Sequence, residues 1–447
     1  MKKSNEIINV KCVDFTFDGQ GLCKANNRTV FVPSLLIGEE AEVEVLYHKK
    51  DFDVGHIKKI TKFSPYRIEP KCKCATSCGG CSFQNLDYNK ELEYKKGVAL
   101  NTLNRIGKIN IKDAPIYGMD NPYNYRNKIQ VPFGYDKQNR LVYGFYKIKS
   151  HDIVPISECF IEDEAHVNIL KNIKRLMIEL KIKAYDEDKR SGDIRHVLIR
   201  VGKVSKEIMV VIVSNSLTFK NKNVFSKALI KSCPEITTLI FNLNNRKTNV
   251  IIGEKEEVLY GKGYIEDILL GNKYRISSKS FYQVNHDQCE KLYSLAIKEA
   301  NLSKEDVVLD AYCGIGTIGL SSAGFCKKII GIEIVKEAII DAKINTKLNN
   351  ITNAEFYCKD ASDYMIENKF DCVFVDPPRK GLDEKFIKSL LKALPKKIIY
   401  ISCDVGTLAR DLSILKDKYE IKSLAFVDMF PRTFHVETVA CLRLKER

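Results

Sequence analysis

No apolar run in the chain approaches the ~18 residues of a membrane-spanning helix, the longest being short stretches such as Ile208 to Val213. A spanning helix is therefore excluded. The amino terminus, Met1-Lys-Lys-Ser-Asn-Glu-Ile-Ile-Asn9, is positively charged but lacks an apolar segment and a cleavage site. Nothing there marks the chain for export, and a cytoplasmic protein is expected. Fixed-period repeats and low-complexity tracts are also missing. Disorder and fibrous classes fall on composition, because 45% of residues are hydrophobic and 29% charged, the balance of a chain that buries real cores. The 447 residues, at roughly 150 per domain, make about three domains.

What is present is charge and sulfur. Lys and Arg number 72 against 57 Asp and Glu, a surplus of +15. Such a surplus suits a polyanionic partner, through phosphate neutralisation and counterion release, although a lysine-rich solvated surface gives the same count. The 15 Cys are an odd number scattered from Cys12 to Cys441, which is no disulfide framework in a chain of this size. Reduced thiols are expected, so a tight group of them suggests a metal or catalysis.

Three regions can be drawn. Over residues 1–64, short β-branched runs alternate with Gly-rich turns (Val10 to Phe17, Gly19-Gln-Gly21, Thr29-Val-Phe-Val32, Gly38 to Val45) and predict a small closed β-barrel, ended by Ser64-Pro-Tyr-Arg67 and Glu69-Pro70. Residues 65–270 read as an α+β middle domain. It holds a helix over 85–107, a hairpin around Lys137 to Arg140, and a strand pair at Val197 to Val201 and Ile208 to Ser214. Over 271–447 strand, loop and helix alternate, with apolar strands at Val307, Ile329, Glu355, Cys372 and Ile398. This is the pattern of a doubly wound parallel sheet, whose ligand sits beyond the carboxyl ends of the central strands.

Chemistry is therefore sought just after those strands. The first ends in Asp310-Ala-Tyr-Cys-Gly-Ile-Gly316, a loop built for a tight turn and close approach to a ligand. The second ends at Glu333, where a carboxylate can grip ribose hydroxyls, and the third near Asp360, beside the presumed adenine edge. The fourth runs into Asp376-Pro-Pro-Arg379. In this order the set resembles the Class I S-adenosylmethionine-dependent methyltransferases. A nicotinamide dehydrogenase uses a similar loop but has no evident role for Asp376-Pro-Pro.

The fifth strand ends in Ser402-Cys403-Asp404. An arbitrary free Cys is usually a buried small hydrophobe, but this one stands at the site mouth. Carbon 5 of uracil is too weak a nucleophile to take a methyl group unaided; a thiolate added at carbon 6 makes it an enolate that can. Because a free thiol has a pKa of about 8.5, the site is expected to favour the thiolate. A base must later remove the carbon 5 proton. Glu437, in Asp428-Met-Phe-Pro-Arg-Thr-Phe-His-Val-Glu437, is the candidate, with His435 the rival by ordinary pKa.

Cys403, the Asp376-Pro-Pro-Arg379 element, the segment ending at Glu437 and Ser280-Phe-Tyr-Gln-Val-Asn285 together resemble the RNA uracil-5-methyltransferases, and residues 1–64 resemble the TRAM domain, an OB-like RNA-binding barrel. The resemblance implies an α/β fold: a Class I Rossmann-like methyltransferase domain after a barrel and an α+β middle domain. It implies Cys403 as nucleophile and Glu437 as proton acceptor. It also implies that Gln283, Tyr312, Glu333 and Asp376, with Asp360 in addition, contact S-adenosylmethionine, and that Phe281 helps order the bound RNA base or the active-site loop. Thr317 stands where some relatives have Asn and is not carried over. Tyrosine and arginine in Tyr123-Asn-Tyr-Arg-Asn-Lys128, Arg126 in particular, could contact RNA or pack at a strand entry.

Cys72-Lys-Cys74-Ala-Thr-Ser-Cys78-Gly-Gly-Cys81 holds four thiols in one short segment, a donor set for zinc or an iron–sulfur cluster. The resemblance implies a 4Fe-4S cluster on Cys72, Cys78, Cys81 and Cys159, leaving Cys74 spare; zinc on Cys72, Cys74, Cys78 and Cys81 is the rival. The resemblance also implies 23S ribosomal RNA as substrate, because it is the family's ribosomal-RNA members that carry such a cysteine set. Transfer RNA, a cytosine-5-methyltransferase, a non-catalytic RNA-binding assembly factor and a redox sensor are the alternatives. No protein partner is implied.

Overall fold

Glu40-Ala-Glu-Val-Glu-Val45 shows how the chain begins to fold. Successive strand residues face opposite ways, so Ala41, Val43 and Val45 are buried while the three glutamates are half-buried on the outside. This strand, β4 (Glu40–His48), closes a barrel with β1 (Ile7–Phe15), β2 (Gly21–Ala25), β3 (Arg28–Val32) and β5 (Phe52–Lys62), in the order β1-β2-β3-β5-β4. Cys12 and Cys23 sit in its core with Val30, Val32 and Val43, as packing thiols. The computed structural model describes residues 6–25, 28–147, 150–247 and 250–446; Met1 to Asn5, the start of the positively charged amino-terminal segment, lie outside them.

One buried carboxylate ties the barrel to the middle of the chain. Glu39 accepts hydrogen bonds from the Arg67 guanidinium at 2.6 and 2.7 Å and from the amides of Leu36 and Ser64 at 2.8 and 3.2 Å. Asp87 then caps α1 (Tyr88–Gly107), accepting from the amides of Asn89 and Lys90. The buried stripe of α1 recurs every fourth residue: Glu91, Lys95, Ala99, Leu103 and Gly107. Ala99 and Leu103 join the core of the carboxyl-terminal sheet, beside Leu309, Val373 and Tyr400.

The two charged members of that stripe are completely buried, and their partners lie far along the chain. Lys95 Nζ donates to Glu91 and to Asp428, both at 2.7 Å, and to the Phe430 carbonyl at 3.2 Å. Burial works against the ammonium, but these two carboxylates outweigh it and hold Lys95 above its ordinary pKa. Arg432 completes the group, donating to the Leu86 carbonyl at 2.8 Å and reaching Glu91 at 3.4 Å. Lys95→Met is expected to lower stability by about 3–5 kcal/mol, because removing one partner strands buried charge. The measurement is urea unfolding followed in the same buffer as wild type.

After β6 (Ile116–Tyr117) come β7 (Lys128–Tyr135), β8 (Leu141–Tyr146), β9 (Ile153–Pro155), α2 (Ala165–Glu179), β10 (Ile194–Val201), β11 (Ile208–Ser214), α3 (Lys222–Ser232), β12 (Ile236–Leu243) and β13 (Lys255–Tyr260). The strands β7 to β13 form one sheet, ordered β13-β12-β11-β10-β7-β8-β9. The expected hairpin is β7–β8, and the expected strand pair is β10–β11, antiparallel. Every residue of β10 and β11 is buried because both faces are covered. On one face Ile199, Val210 and Ile212 pack with residues of α2 and α3. On the other Leu198, Met209, Val211 and Val213 share a core with Leu292 and Val308 of the carboxyl-terminal region.

A hairpin, β14 (Tyr264–Leu269) and β15 (Asn272–Ser277), leads into the final layer. That layer comprises α4 (His286–Ala300), β16 (Val307–Ala311), α5 (Thr317–Ser322), β17 (Lys328–Glu333), α6 (Lys336–Leu348), β18 (Ala354–Cys358), α7 (Ala361–Glu367), β19 (Cys372–Val375), α8 (Glu384–Ala393), β20 (Lys397–Ser402), α9 (Val405–Leu415), β21 (Tyr419–Val427) and β22 (Glu437–Leu444). The sheet order is β18-β17-β16-β19-β20-β22-β21-β6. The first five strands are mutually parallel, and β22 is antiparallel to both β20 and β21. Chain order reverses between β16 and β19, the switch point at which such sheets hold their ligands. No described helix is long and apolar enough to cross a membrane.

Candidate active site

Three of the five residues from Tyr312 to Gly316 have positive φ: Tyr312 (65°), Gly314 (54°) and Gly316 (84°). Glycine is needed at Gly316 on a second count, since a Cβ there would stand 2.8 Å from the Phe356 ring. A non-glycine residue held in this conformation, as Tyr312 is, marks a strained loop at the end of β16. Two carboxylates hold the loop. Buried Asp310 accepts from the Gly319 amide at 2.9 Å, fixing α5 to the strand, and burial pushes its pKa up to about 8. Glu333, at the end of β17, accepts from the amides of Ile334 and Val335 at 2.8 and 3.0 Å and from Gly314 at 3.3 Å.

The other residues expected at the cofactor are distributed around this loop. The ring of half-buried Tyr312 lies 5.5 Å from that of Phe386 on α8. Gln283 is buried, its carbonyl held by the Asn127 side chain at 3.0 Å. Tyr293 links three of the positions: it is within hydrogen-bond reach of Gln283 and Thr317 and feels the charge of Asp376. Asp360 has a structural task. It caps α7, accepting from the amides of Ser362 and Asp363 at 2.9 and 3.3 Å, and lies 3.6 Å from Lys385. Burial raises its pKa, but these hydrogen bonds and Lys385 outweigh it and leave the carboxylate below its ordinary value.

Cys403 and Glu437 meet through the sheet register. In the antiparallel pair of β20 and β22, Ser402 stands opposite Thr438, so the next step sets Cys403 against Glu437. Burial pushes the Cys403 thiol up to about 12, helped by the charges of Glu437 and Asp376, while Arg379 pulls it down. The expectation of a site that favours the thiolate is therefore not met before substrates arrive. Burial and three carboxylates, Glu437, Asp376 and Asp404, outweigh one guanidinium. The same crowding pushes Glu437 up to about 8, through burial first and Asp376 second, and burial alone carries Asp376 to about 7.

His435 differs. Its Nε2 lies 3.1 Å from the Arg379 guanidinium, which has no lone pair to offer, so the ring accepts there and is neutral. Burial, then Arg379, pushes its pKa down to about 4. Phe281 is 65% exposed. Arg126 is half-buried, pairing with Glu162 at 3.4 Å and donating to the Lys128 carbonyl at 3.1 Å.

These shifts make stability depend on pH. Asp310, Asp376 and Glu437 have folded pKa values of about 7 to 8, against about 4 in an unfolded chain. A raised folded pKa gives stability that is complete below the unfolded value and is lost as pH rises through the folded one. His196 and His435, pushed down to about 4 chiefly by burial, act oppositely, but only below their ordinary range near pH ~6.5. The unliganded protein should therefore lose thermal stability between about pH 6.5 and 8.5, and Glu437→Gln should flatten that fall. Melting curves across this range give the test.

Comparison with known proteins now decides the family. The family model described as tRNA (Uracil-5-)-methyltransferase matches residues 87–445. The chain belongs to that family. It is 41% identical over 450 residues to an uncharacterised RNA methyltransferase of Staphylococcus epidermidis, covering 99% of each chain. It is also 41% identical over 448 residues to one of Halalkalibacterium halodurans, covering 99% of this chain and 98% of that one. Among solved structures, it matches Pyrococcus abyssi tRNA (uracil-54, C5)-methyltransferase in complex with S-adenosyl-L-homocysteine. That match has a TM-score of 0.79 and 29% identity over 97% of this chain and 100% of the other. The protein is an S-adenosylmethionine-dependent RNA methyltransferase.

In this methyltransferase Cys72, Cys74, Cys78, Cys81 and Cys159 all line one cavity of about 350 Å³, together with Gln84, Arg126, Lys128 and Glu162. The turn that carries them is closed by the Cys78 amide on the Cys74 carbonyl at 2.8 Å. The thiols share the cavity without forming a coordination sphere. Among the described residues, no three Cys, His, Asp or Glu side chains are grouped as they stand to hold a metal ion. Burial pushes Cys81 up to about 12 and raises Cys72, Cys78 and Cys159, and neighbouring thiols add to the rise at each. Such a set ionises together only against a cation, and five thiols around one space fit a soft metal or cluster by donor chemistry.

Sequence reasoning passed over several residues of this site. Asp310 and Tyr293 carry no local signal beyond their strand and helix. Arg379 stands in the quoted Asp376-Pro-Pro-Arg379 element, but its contact with His435 joins segments 56 residues apart. Asn285 and Gln288 hold the carbonyls of Met429 and Asp428 at 3.0 Å each, fixing the loop that leads to Glu437.

Proposed function

We propose that the protein transfers a methyl group from S-adenosylmethionine to carbon 5 of a uridine in structured RNA, with 23S ribosomal RNA as the substrate, through a covalent bond between Cys403 and the uracil. The pairing of β20 with β22, which sets the sulfur against a buried carboxylate, is the observation that carries this reading. Cys403 gives up its proton to solvent and its Sγ bonds to carbon 6, making carbon 5 nucleophilic. Carbon 5 then takes the methyl group of the sulfonium donor, which leaves as a neutral thioether. Glu437 accepts the carbon 5 proton, the carbon 6–sulfur bond breaks, and Cys403 returns as thiolate. His435, committed to Arg379, is the weaker base candidate.

Asp376 and Glu437 fit a cationic donor, because a positive charge beside them repays their burial and lowers the barrier to ionising Cys403. Gln283, Tyr312, Glu333 and Asp376 are the residues assigned to the donor, with Asp360 acting through the α7 cap it forms. Residues 1–64 serve as the RNA-contacting barrel, 65–270 as the cysteine-bearing middle domain and 271–447 as the catalytic domain, on which α1 packs.

Cys72, Cys78, Cys81 and Cys159 are assigned to a 4Fe-4S cluster, with Cys74 spare. Its role is structural, since no step of the methyl transfer moves an electron. Anaerobic reconstitution with iron and sulfide should give cluster absorbance that Cys81→Ser removes and Cys74→Ser retains; zinc uptake instead, lost with Cys74→Ser, would reject the assignment. A second reading, transfer RNA as substrate, is favoured by the description of the matching family and by the P. abyssi relative. Mapping 5-methyluridine in 23S ribosomal RNA and in transfer RNA from cells with and without the gene decides between them. Loss of 5-methylcytidine alone would reject both.

A further inference from the structure

One large apolar side chain near the site has no part in the methyl transfer itself. Phe17, in the turn between β1 and β2, is 79% exposed. Its ring stands edge-on to that of Phe434, with centroids 6.3 Å apart at 81°. Phe434 in turn lies 4.0 Å from the His435 ring. His435 bonds Arg379, whose charge acts on both Cys403 and Glu437. A ring from the barrel and two from the β21–β22 connection thus form a continuous run leading from solvent to the reacting groups.

The turn that carries Phe17 is rigid. The Thr16 amide donates to the Gln20 carbonyl at 2.8 Å and the Gly19 amide to the Thr16 carbonyl at 2.9 Å, while Gln20 and Thr16 both bond the Asp18 carboxylate. The Thr16 carbonyl also accepts from Tyr94 of α1 at 2.7 Å. Gly19, at φ 79°, packs so closely on Phe83 that a Cβ would stand 3.0 Å from its ring. Phe83 is anchored to the same connection, since the amides of Ser82 and Phe83 both donate to the Arg432 carbonyl, at 2.9 and 3.0 Å. Phe17 is thus presented to solvent by a framework fixed to the loop that ends at Glu437. Ligand binding there costs little ordering.

Chain continuity of the substrate determines what covers Phe17. A uridine extruded into the site brings its neighbours onto the rim, where Phe434 and Phe17 stand. Unpaired bases stack on aromatic side chains whatever their sequence. A protein seated on Phe17 would block the entrance that RNA needs. We propose that Phe17 and Phe434 form a stacking site for an unpaired nucleobase flanking the target uridine, so that the barrel grips the substrate beside the reacting base. The inference rests on the RNA-methylating function proposed for the site.

The test uses the full-length protein with its donor and an RNA stem-loop spanning the mapped target, carrying 2-aminopurine at each flanking position in turn. Loss of one aromatic stack is worth about 1–3 kcal/mol, which is about 5- to 150-fold in affinity. Phe17→Ala should raise KM for RNA within that range, with the larger change in KM rather than kcat, and Phe17→Tyr should restore it. Wild type should quench 2-aminopurine at one flanking position, and Phe17→Ala should release that quenching. Unchanged KM with quenching retained would overturn the proposal, as would unchanged KM with self-association lost in Phe17→Ala, which would assign the ring to a second copy of the chain. If wild type methylates no RNA, the functional reading fails instead, and the fluorescence comparison still decides whether Phe17 touches a base.

Discussion

Cys403→Ala is expected to lower methyl transfer by on the order of 10⁴-fold or more, since no other group on this site can saturate carbon 6 of the ring. The result should come without unfolding. Cys403 is only half-buried and lies just past the end of β20, so a methyl group in place of the thiol opens little space. Binding of S-adenosylhomocysteine should persist, because the residues assigned to it stand at the carboxyl ends of β16, β17 and β19 and in the segment before α4. The separating measurement is covalent trapping. Target RNA bearing 5-fluorouridine should form a gel-stable adduct with wild type and none with Cys403→Ala. A trapped variant would move the nucleophile to another residue.

The environment of Cys403 makes a second statement about that reaction. Burial first, then the charges of Glu437 and Asp376 against that of Arg379, pushes the thiol up to about 12, which favours the protonated sulfur in the unliganded enzyme. On the proposed reading, in which the cationic donor sits beside Asp376, its charge offsets those carboxylates. Adduct formation should therefore be faster with S-adenosylmethionine or a cationic analogue bound than with the neutral product, even where neither can complete turnover. A nucleophile that ionises only beside its donor is protected from oxidation between turnovers.

The carboxyl-terminal sheet was legible because its strands are buried on both faces and read as continuous apolar runs. The runs at Val307, Ile329, Cys372 and Ile398 became β16, β17, β19 and β20. What stayed illegible is what distance along the chain conceals. Glu91 and Lys95 look like an exposed i, i+4 pair on a helix, yet both are buried because Asp428, 333 residues after Lys95, closes the group. β6 is two residues long and pairs only with β21, so no local pattern announces it. The direction of the Cys403 shift was missed for the same reason: it is set first by burial and then by charges that arrive from the Asp376-Pro-Pro-Arg379 turn and from β22. The candidate site was visible as motifs, whereas its electrostatics exist only once the sheet has assembled.

Glu437→Gln should separate the two halves of the reaction. The variant keeps the shape of the side chain and loses only its capacity to take a proton, so addition of Cys403 and methyl transfer can proceed while elimination stalls. Turnover should fall by about 10²–10⁴-fold, the usual contribution of a positioned base. A covalent complex with ordinary, unfluorinated RNA should accumulate in proportion, visible as a shifted band that carries label from the methyl donor. His435→Asn should leave turnover far less affected and accumulate no such complex, because the imidazole accepts from Arg379 and its pKa is near 4. The pH profile supplies an independent check. Glu437 must be ionised to act, and in the free enzyme its pKa is pushed up to about 8, with burial the largest cause and Asp376 the next. The ascending limb of kcat, which contains the elimination step, should therefore reach above pH ~4.3, the ordinary value for a glutamate, and Glu437→Gln should remove it. An ascending limb unchanged in Glu437→Gln, with no complex accumulating, would assign proton removal to another group.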